Sequence, residues 1–222
     1  MNFGLAFSFV FKDKDWFKKI ALPAVCSLIP VVGQFVASGW ALKVAKNVID
    51  GNEEHALPDL EFGADLGRGF MAFLIGAIYS LPVSILMAIA GAAFGFGNEG
   101  DETLMVILYV VGGCIGLIGL LLALLLAFMG LIGLANYLAK GEFGAAFRFK
   151  EIFAMLKKSF VSWLLVLLGQ MLAMGIIAPL GTIVCVIGVF LTTVYASAVY
   201  AHLLGQAYNQ SSLPVMGEVE TL

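Results

Sequence analysis

The stretch of sequence that decides the fold lies near the C-terminus. Residues 159–208 read SFVSWLLVLLGQMLAMGIIAPLGTIVCVIGVFLTTVYASAVYAHLLGQAY, without a single Asp, Glu, Lys or Arg. A helix that crosses the hydrocarbon core of a bilayer needs about 20 apolar residues. Pro179 and Gly181 interrupt the stretch, since proline stops a helix and glycine permits a tight turn. We therefore predict two membrane-spanning helices, 159–178 and 182–208, joined by a very short turn.

The composition of the whole chain agrees with a membrane location. Of the 222 residues, 61% are hydrophobic and only 12% are charged, and the mean hydropathy is +1.01. Ordinary soluble domains carry about 25% charged residues, and disordered chains are poor in apolar residues. The composition excludes both classes of protein. The net charge of −3 gives no indication of nucleic-acid binding.

Three further uncharged runs are long enough to cross a membrane, and they occupy residues 20–42, 69–98 and 103–139. The last would reach about 55 Å as a helix, which is too short for two spans and a turn, so we predict one tilted helix. Pro30 and Gly33 break the run 20–42. The predicted fold is all-α, a single membrane domain over 1–210 with four full spans, a Pro-broken N-terminal element and a tail at 211–222.

The charged segments predict the orientation of the bundle. Segment 140–158 carries five Lys or Arg residues, whereas 99–102 carries three acids and no base. Basic loops stay on the cytoplasmic side of a membrane. We therefore expect segments 140–158 and 43–68 and the C-terminus to be cytoplasmic.

The N-terminal lead, residues 1–19, allows two alternatives. Four of its residues are lysines, at positions 12, 14, 18 and 19. If 20–42 is a re-entrant hairpin that bends near Pro30 and Gly33, this lead is cytoplasmic. If 20–42 is a single kinked span, the lead is outside.

Two segments are predicted to be amphipathic helices at the membrane interface. In the lead, the apolar stripe is Phe3, Phe7, Val10 and Phe11. In 143–158, the stripe is Phe149, Ile152, Phe153, Leu156 and Phe160, with helical spacing. Such helices lie with one face in the headgroup region.

Within the predicted spans, the few groups that can bind a solute or form side-chain hydrogen bonds are uncharged polar side chains. Gln34, Gln170, Asn136 and His202 either line a pore or join helices by hydrogen bonds. No Asp, Glu, Lys or Arg lies in a predicted span, which lowers the odds of a proton-driven transporter.

We predict no enzyme and no cofactor. No nucleophile motif or zinc motif accompanies His202. Cys26, Cys114 and Cys185 stand in apolar runs and form no CxxC pair, so we expect buried small residues and no metal site. In the acidic segment 43–68, the part 50–68 contains Asp50, Glu53, Glu54, His55, Asp59, Glu61 and Asp65. Its spacing fits no known calcium or zinc pattern, and we expect a solvated loop, with cation binding left open.

Glycine pairs mark faces where helices can approach each other closely. The pairs Gly91/Gly95 and Gly112/Gly116 have the small-xxx-small spacing, and Gly130 and Gly133 follow. These faces pack either the monomer or an oligomer.

The first eighty residues carry a family resemblance. The chain reads FKDKDWFKKI, then LIPVVGQFVASGWALKVAKNVIDG, then ALPDLEFGADLGRGF. This order resembles domain-of-unknown-function family 4013, a set of prokaryotic integral membrane proteins. The matching positions are Asp13, Trp16, Lys19, Ile29, Pro30, Gly33, Gly39, Trp40, Leu57, Pro58 and Gly69. The resemblance implies a prokaryotic inner-membrane protein and no particular activity.

Two functions remain open from the sequence. The first is a non-catalytic structural or accessory subunit in the lipid bilayer, acting as a homo-oligomer or within a larger membrane complex. The alternative is a small channel or transporter for an uncharged or weakly polar solute, with Gln34 and Gln170 in its path.

Overall fold

The computed structural model describes residues 1–98, 101–184 and 186–212. Every regular element in these ranges is helical. The α-helices are α1 (Phe3–Lys12), α2 (Trp16–Cys26), α3 (Val32–Ile49), α4 (Phe62–Gly97), α5 (Glu102–Lys140), α6 (Phe149–Lys158), α7 (Phe160–Leu172), α8 (Ala178–Leu180) and α9 (Val186–Ser212). The predictions for Glu99, for Cys185 and for most of the C-terminal tail, 213–222, fall outside the described residues.

Four helical stretches are long and apolar enough to cross a membrane. They are Phe62–Gly97, Glu102–Lys140, Phe160–Ile183 and Gly188–Ser212. The prediction of an all-α fold with four spans is therefore confirmed, and the chain is a multi-span membrane protein. α5 is a single helix of 39 residues, as its length predicts.

The break between the last two spans lies a few residues after the predicted one, because the helical stretch Phe160–Ile183 continues through Pro179 and Gly181 and the next span begins at Gly188. After α7 the chain makes a π-helical turn, Ala173–Ile177, then α8, then a 3-10 turn, Gly181–Val184. A Cβ atom on Gly181 would lie only 2.3 Å from the carbonyl oxygen of Gly188. Glycine is needed here because the chain folds back directly onto the start of the next span.

The run 20–42 is also broken, into α2 and α3. A Cβ atom on Gly33 would lie 1.8 Å from the carbonyl oxygen of Cys26, so the chain doubles back on itself. The backbone N–H groups of Ser27, Leu28 and Ile29 donate to the carbonyls of Pro23, Val25 and Cys26. The turn thus satisfies much of its own backbone, which a turn at membrane depth requires.

Val31 carries the strain of this turn. Its φ of +64° and ψ of −65° are those of a γ-turn, and the N–H of Val32 donates to the carbonyl of Pro30 at 2.7 Å. A β-branched residue rarely adopts a positive φ, and the cost is about 1–3 kcal/mol.

We expect Val31→Gly to stabilise the protein by about 1 kcal/mol, because glycine removes the strain but loses more entropy on folding. The matched control is Val32→Gly, at an exposed helical residue where glycine should cost about 0.5–1 kcal/mol. The measurement is the free energy of unfolding in detergent. A Val31→Gly protein less stable than the control would contradict the prediction.

The chain divides into two compact units, which are described separately. Unit 1 comprises Met1–Phe73 and Leu131–Leu222, and unit 2 comprises Leu74–Gly130. In unit 1, α9 is the central helix, and α1, α2, α3, α6 and α7 contact it. A Cβ atom on Gly205 would lie 2.6 Å from Cβ of Val48, so α9 and α3 approach closely. The largest fully buried side chains of this core are Trp40 and Trp163.

Unit 2 is a pair of apolar helical segments from α4 and α5. They contact through small residues, since a Cβ atom on Gly112 would lie 3.1 Å from Cβ of Ala93. The opposite surfaces are apolar and exposed, as at Leu117 (60%) and Leu121 (62%). A helix that is apolar all round is typical of a membrane span.

The apolar stripe predicted for the N-terminal lead, Phe3, Phe7, Val10 and Phe11, differs from the face of α1 that packs inside unit 1. In α1 the buried residues are Ala6, Phe9 and Val10, and Phe11 is exposed. The reason is tertiary packing, because the Phe9 ring lies 4.5 Å from the ring of His202 in α9. One face of α1 therefore packs against α9, and the interfacial position of its exposed face stays a prediction.

The interpretation of 50–68 as one solvated loop is wrong in part. α3 continues to Ile49 and α4 begins at Phe62, so the irregular chain is 50–61. Asp65 is fully buried. An ion pair with Lys43 of α3 offsets the cost of burying the Asp65 carboxylate. The order of charged residues along the sequence does not show that these two side chains meet.

The predicted amphipathic helix at 143–158 is present as two pieces. A 3-10 turn, Phe143–Phe147, precedes α6. Ile152 and Leu156 are buried, whereas Phe149 and Phe153 are exposed. Two of the five residues of the predicted stripe thus pack inside unit 1, and the other three, including Phe160, are exposed.

Candidate functional site

One charge cluster around a buried carboxylate, here called the polar junction, consists of Lys43, Glu61, Asp65 and Arg68. The Asp65 carboxylate is fully buried and lies 2.7 Å from Nη1 of Arg68 and 3.3 Å from Nζ of Lys43. Lys43 Nζ also lies 3.2 Å from Glu61. Two cations therefore balance two carboxylates, which is the condition under which a buried charge is tolerated.

The polar junction forms where α3 crosses α4. A Cβ atom on Gly39 would lie 1.8 Å from the carbonyl oxygen of Asp65, and one on Gly69 would lie 1.9 Å from that of Phe35. The two backbones are thus in direct contact. Arg68 Nη1 donates to the carbonyl of Gly39 at 3.3 Å, and the N–H of Glu61 donates to Asp65 at 2.7 Å.

A second polar cluster joins the N-terminus to α9. The N–H of Asn2 donates to Gln206 Oε1 at 2.7 Å, and Gln206 Nε2 lies 3.0 Å from His202 Nδ1. His202 Nε2 lies 2.8 Å from the carbonyl oxygen of Glu53. Because a carbonyl only accepts, the imidazole carries its proton on Nε2 and accepts at Nδ1. Both ring nitrogens are occupied, which makes His202 a structural residue in this arrangement.

Asn136 is also committed to structural contacts. Its Nδ2 donates to the carbonyl of Ala145 at 2.9 Å and to Glu151 at 3.2 Å. Lys140 forms an ion pair with Glu151. The hydrogen bond from Lys140 holds the pKa of the Glu151 carboxyl below its ordinary value, against the opposing effect of burial.

The loop 50–61 is held against the N-terminal lead and α3. Lys19 Nζ donates to the carbonyl of Leu57 at 3.1 Å, and Trp40 Nε1 donates to that of Pro58 at 3.0 Å. Lys19 also lies 2.8 Å from Asp13. This hydrogen bond lowers the pKa of Asp13 and raises that of Lys19, so each group favours the charged form of the other.

Gln34 lies at a pocket in unit 1, here called the membrane pocket. It has a volume of about 220 Å³ and lies between the turn of the α2–α3 hairpin and the first half of α9. Its polar lining residues are Ser27, Gln34, Ser38, Thr193 and Ser197, and the other described lining residues are apolar. The α9 part of the lining belongs to the span Gly188–Ser212.

The other predicted pore residues lie elsewhere. Gln170 is half-buried in α7, and it does not line the membrane pocket. Asn136 and His202 are fully buried in the clusters described above. Of the four predicted residues, Gln34 alone lines this pocket in the part of the chain that the structure describes.

The predicted glycine faces have different environments. Gly112 and Gly116 face Ala90 and Ala93 of α4, Gly130 faces Tyr79, and Gly133 is buried. A Cβ atom on Gly91 or Gly95 would meet nothing within 4 Å. Among the described residues, no group of three or more His, Cys, Asp and Glu side chains is placed to hold a metal ion.

Sequence reasoning missed two sets of residues. The buried pair Asp65 and Arg68 has the i, i+3 spacing of a helical ion pair, which is visible once α4 is extended by two turns. Gln34 with Ser38, and Thr193 with Ser197, are both i, i+4 pairs. Each pair places two polar groups on one helix face, but only the fold shows that the two faces meet.

Comparison with known proteins gives one match. Residues 22–193 match the family described as "Protein of unknown function (DUF4013)". The chain belongs to this family. No curated protein and no solved structure matches the chain.

The residues that carry the resemblance to the DUF4013 family lie together in unit 1. Gly39 and Gly69 form the contact between α3 and α4, and Gly33 closes the hairpin turn. Trp40 binds the carbonyl of Pro58. These family positions therefore have a shared physical role, which is to hold the hairpin, the loop 50–61 and the start of α4 in one arrangement.

Proposed function

We propose that the chain is a non-catalytic membrane subunit of the prokaryotic cytoplasmic membrane, which assembles with copies of itself or within a larger complex. The observation that carries the proposal is the open glycine face of α4. Gly91 and Gly95 leave space beside the backbone, whereas Gly112 is already covered by α4. Small residues one turn apart let a second helix approach closely and gain van der Waals contact in lipid.

The polar groups of unit 1 give further support. His202, Gln206, Asn136 and Asp65 are buried, and each binds groups from a different segment of the chain. The donors and acceptors of these side chains bind other segments of the chain and so hold the segments together. This is what a scaffold requires, and it leaves these side chains little capacity for substrate.

The hairpin interpretation of 20–42 supports a cytoplasmic N-terminus. Asn2 is hydrogen-bonded to Gln206, near the C-terminal end of α9. The tip of the hairpin exposes Leu28 and Val31, both apolar, while Lys19 and Lys43 lie toward its two far ends. A re-entrant hairpin with an apolar tip and a lysine at each end has both ends on the cytoplasmic side.

The test of assembly is the native mass of the full chain after purification in mild detergent from its native membrane, with identification of co-purifying chains. We expect the double variant Gly91→Ile/Gly95→Ile to shift from the assembled species to the single chain, because the branched side chains fill the open face. The matched control is Gly76→Ile/Gly113→Ile, which fills two other open positions of unit 2 and should leave the mass unchanged. A wild-type chain that is already single and without partners would refute the proposal.

A second candidate function is the passage of an uncharged solute, and the membrane pocket favours it. Gln34 lies there with four hydroxyl residues beside a membrane span. In proteoliposomes, Gln34→Leu should lower the rate of glycerol-driven swelling severalfold. Gln170→Leu, an identical change outside the pocket, should not. Equal rates for wild type, both variants and empty liposomes would count against passage.

A further inference from the structure

The membrane pocket combines uncharged polar groups with a position beside a span. Its α9 wall, from Val189 to Ser197, is part of the stretch Gly188–Ser212. Gln34 and Ser38 on the opposite wall are exposed. Exposed polar side chains at membrane depth are costly unless water, a ligand or another polar group binds them.

The hydrogen bonds inside the walls decide what the pocket offers. The hydroxyls of Ser27, Ser38 and Ser197 donate to the carbonyls of Ala24, Gln34 and Thr193 at 2.6, 2.6 and 2.8 Å. Each donor is therefore used, and each hydroxyl oxygen keeps lone pairs. The pocket is consequently rich in acceptors.

Gln34 is held in a defined position. Its Nε2 donates to the carbonyl of Ser27 at 3.0 Å, which ties α3 to the hairpin turn. This contact uses one of the two N–H bonds of the amide. The side-chain carbonyl oxygen and the second N–H remain for a ligand.

The charge and the size of the pocket limit the ligand. No Asp, Glu, Lys, Arg or His is among its described lining residues, so an ion would lose its hydration without compensation. A volume of about 220 Å³ corresponds to roughly seven water molecules of about 30 Å³ each. A compact molecule with several hydroxyl or amide donors fits both limits.

We propose that Ser27, Gln34, Ser38, Thr193 and Ser197 form a binding site for a small neutral polyol or amide, of the size of glycerol, erythritol or urea. The inference rests on the second candidate function and names its ligand class. It concerns binding alone, so a chain that binds such a ligand but does not transport it would retain the site and lose the transport function.

The test is ligand protection of an introduced cysteine. In the full chain with Cys26, Cys114 and Cys185 replaced by alanine, Ser197→Cys is alkylated with a small neutral maleimide in phosphatidylcholine nanodiscs. We expect erythritol or glycerol at a concentration of four times its Kd to slow alkylation about fivefold, which is the factor 1 + [L]/Kd. Adding Gln34→Leu should remove the protection, and adding Gln170→Leu should keep it.

Three controls make the result decisive. Ser8→Cys, exposed on α1, should react at the same rate with and without polyol, and equal slowing there would overturn the proposal. Glycerol phosphate, the charged counterpart, should not protect. Ser38→Cys reports from the opposite wall, and if neither pocket cysteine reacts in the absence of solute, the pocket excludes water and the proposal is wrong.

A lipid with a polyol headgroup offers the same hydroxyl groups. Nanodiscs that contain a neutral lipid with a sugar headgroup distinguish the two sources. Protection there without added solute assigns the site to the lipid headgroup, and protection only by free polyol assigns it to a solute. Either result supports the ligand class, and absence of protection in both arms overturns it.

Discussion

Replacing Gly39 by alanine is expected to destabilise the protein by about 3 kcal/mol or more. The added Cβ would lie 1.8 Å from the carbonyl oxygen of Asp65 and 2.8 Å from the backbone nitrogen of Gly69. Both atoms are backbone, so α3 and α4 must separate. Separation also lengthens the contact between Arg68 and the carbonyl of Gly39.

The control for Gly39→Ala is Gly67→Ala. A Cβ atom on Gly67 meets nothing within 4 Å, and alanine has a higher helix propensity than glycine by about 1 kcal/mol. We therefore expect Gly67→Ala to be neutral or stabilising. The measurements are the yield of monodisperse protein in detergent and the free energy of unfolding.

The reciprocal change, Gly69→Ala, tests the same contact from the other helix. Its Cβ would lie 1.9 Å from the carbonyl oxygen of Phe35. The double variant with Gly39→Ala should lose less than the sum of the two single losses, because one clash already opens the crossing. Additive losses, or a Gly39→Ala protein as stable as wild type, would show that the helices do not touch here.

Replacing Asp65 by asparagine is the second large effect, with an expected loss of about 2–4 kcal/mol. The side chain keeps its size but loses its charge, which leaves Lys43 and Arg68 with Glu61 as their remaining carboxylate in the polar junction. The expected loss of stability is at the lower end of what breaking a buried ion pair costs, because both cations are partly exposed. Unfolding in detergent at neutral pH measures the loss.

The control for this change is Asp59→Asn. The Asp59 side chain is 85% exposed and lies 4.0 Å from Lys19, so its loss should be hard to detect. A second control restores charge balance, since Asp65→Asn with Lys43→Met should recover part of the stability. Equal losses for Asp65→Asn and Asp59→Asn would mean that the polar junction is not buried in the membrane-bound protein.

The sequence alone was sufficient for the four spans and for the break in the run 20–42. Long uncharged runs have few alternatives to a membrane helix, because an unsatisfied backbone in lipid costs several kcal/mol. Pro30 acts locally through its missing N–H and fixed φ. The four spans and the single long helix α5 were therefore predicted correctly.

The candidate site was predicted only in part. Gln34 could be chosen because a polar residue in an apolar run is conspicuous. Its neighbours Thr193 and Ser197 are separated from it in sequence by most of the chain, and no periodic pattern links them. Asn136 and His202 were equally conspicuous, but tertiary contacts use their hydrogen-bonding groups.

What the sequence determined by itself was the part of the fold that local chemistry controls: apolar length, helix breaks and charge at the ends of spans. What only the tertiary structure decided was which faces meet. The contact of Gly39 with Asp65, the burial of Asp65 between two cations and the inward face of α1 all depend on where distant helices pack. When a helix is apolar on all sides, the pattern of hydrophobic residues does not show which face packs against a neighbouring helix. Close backbone approach and hydrogen bonds between helices determine that face.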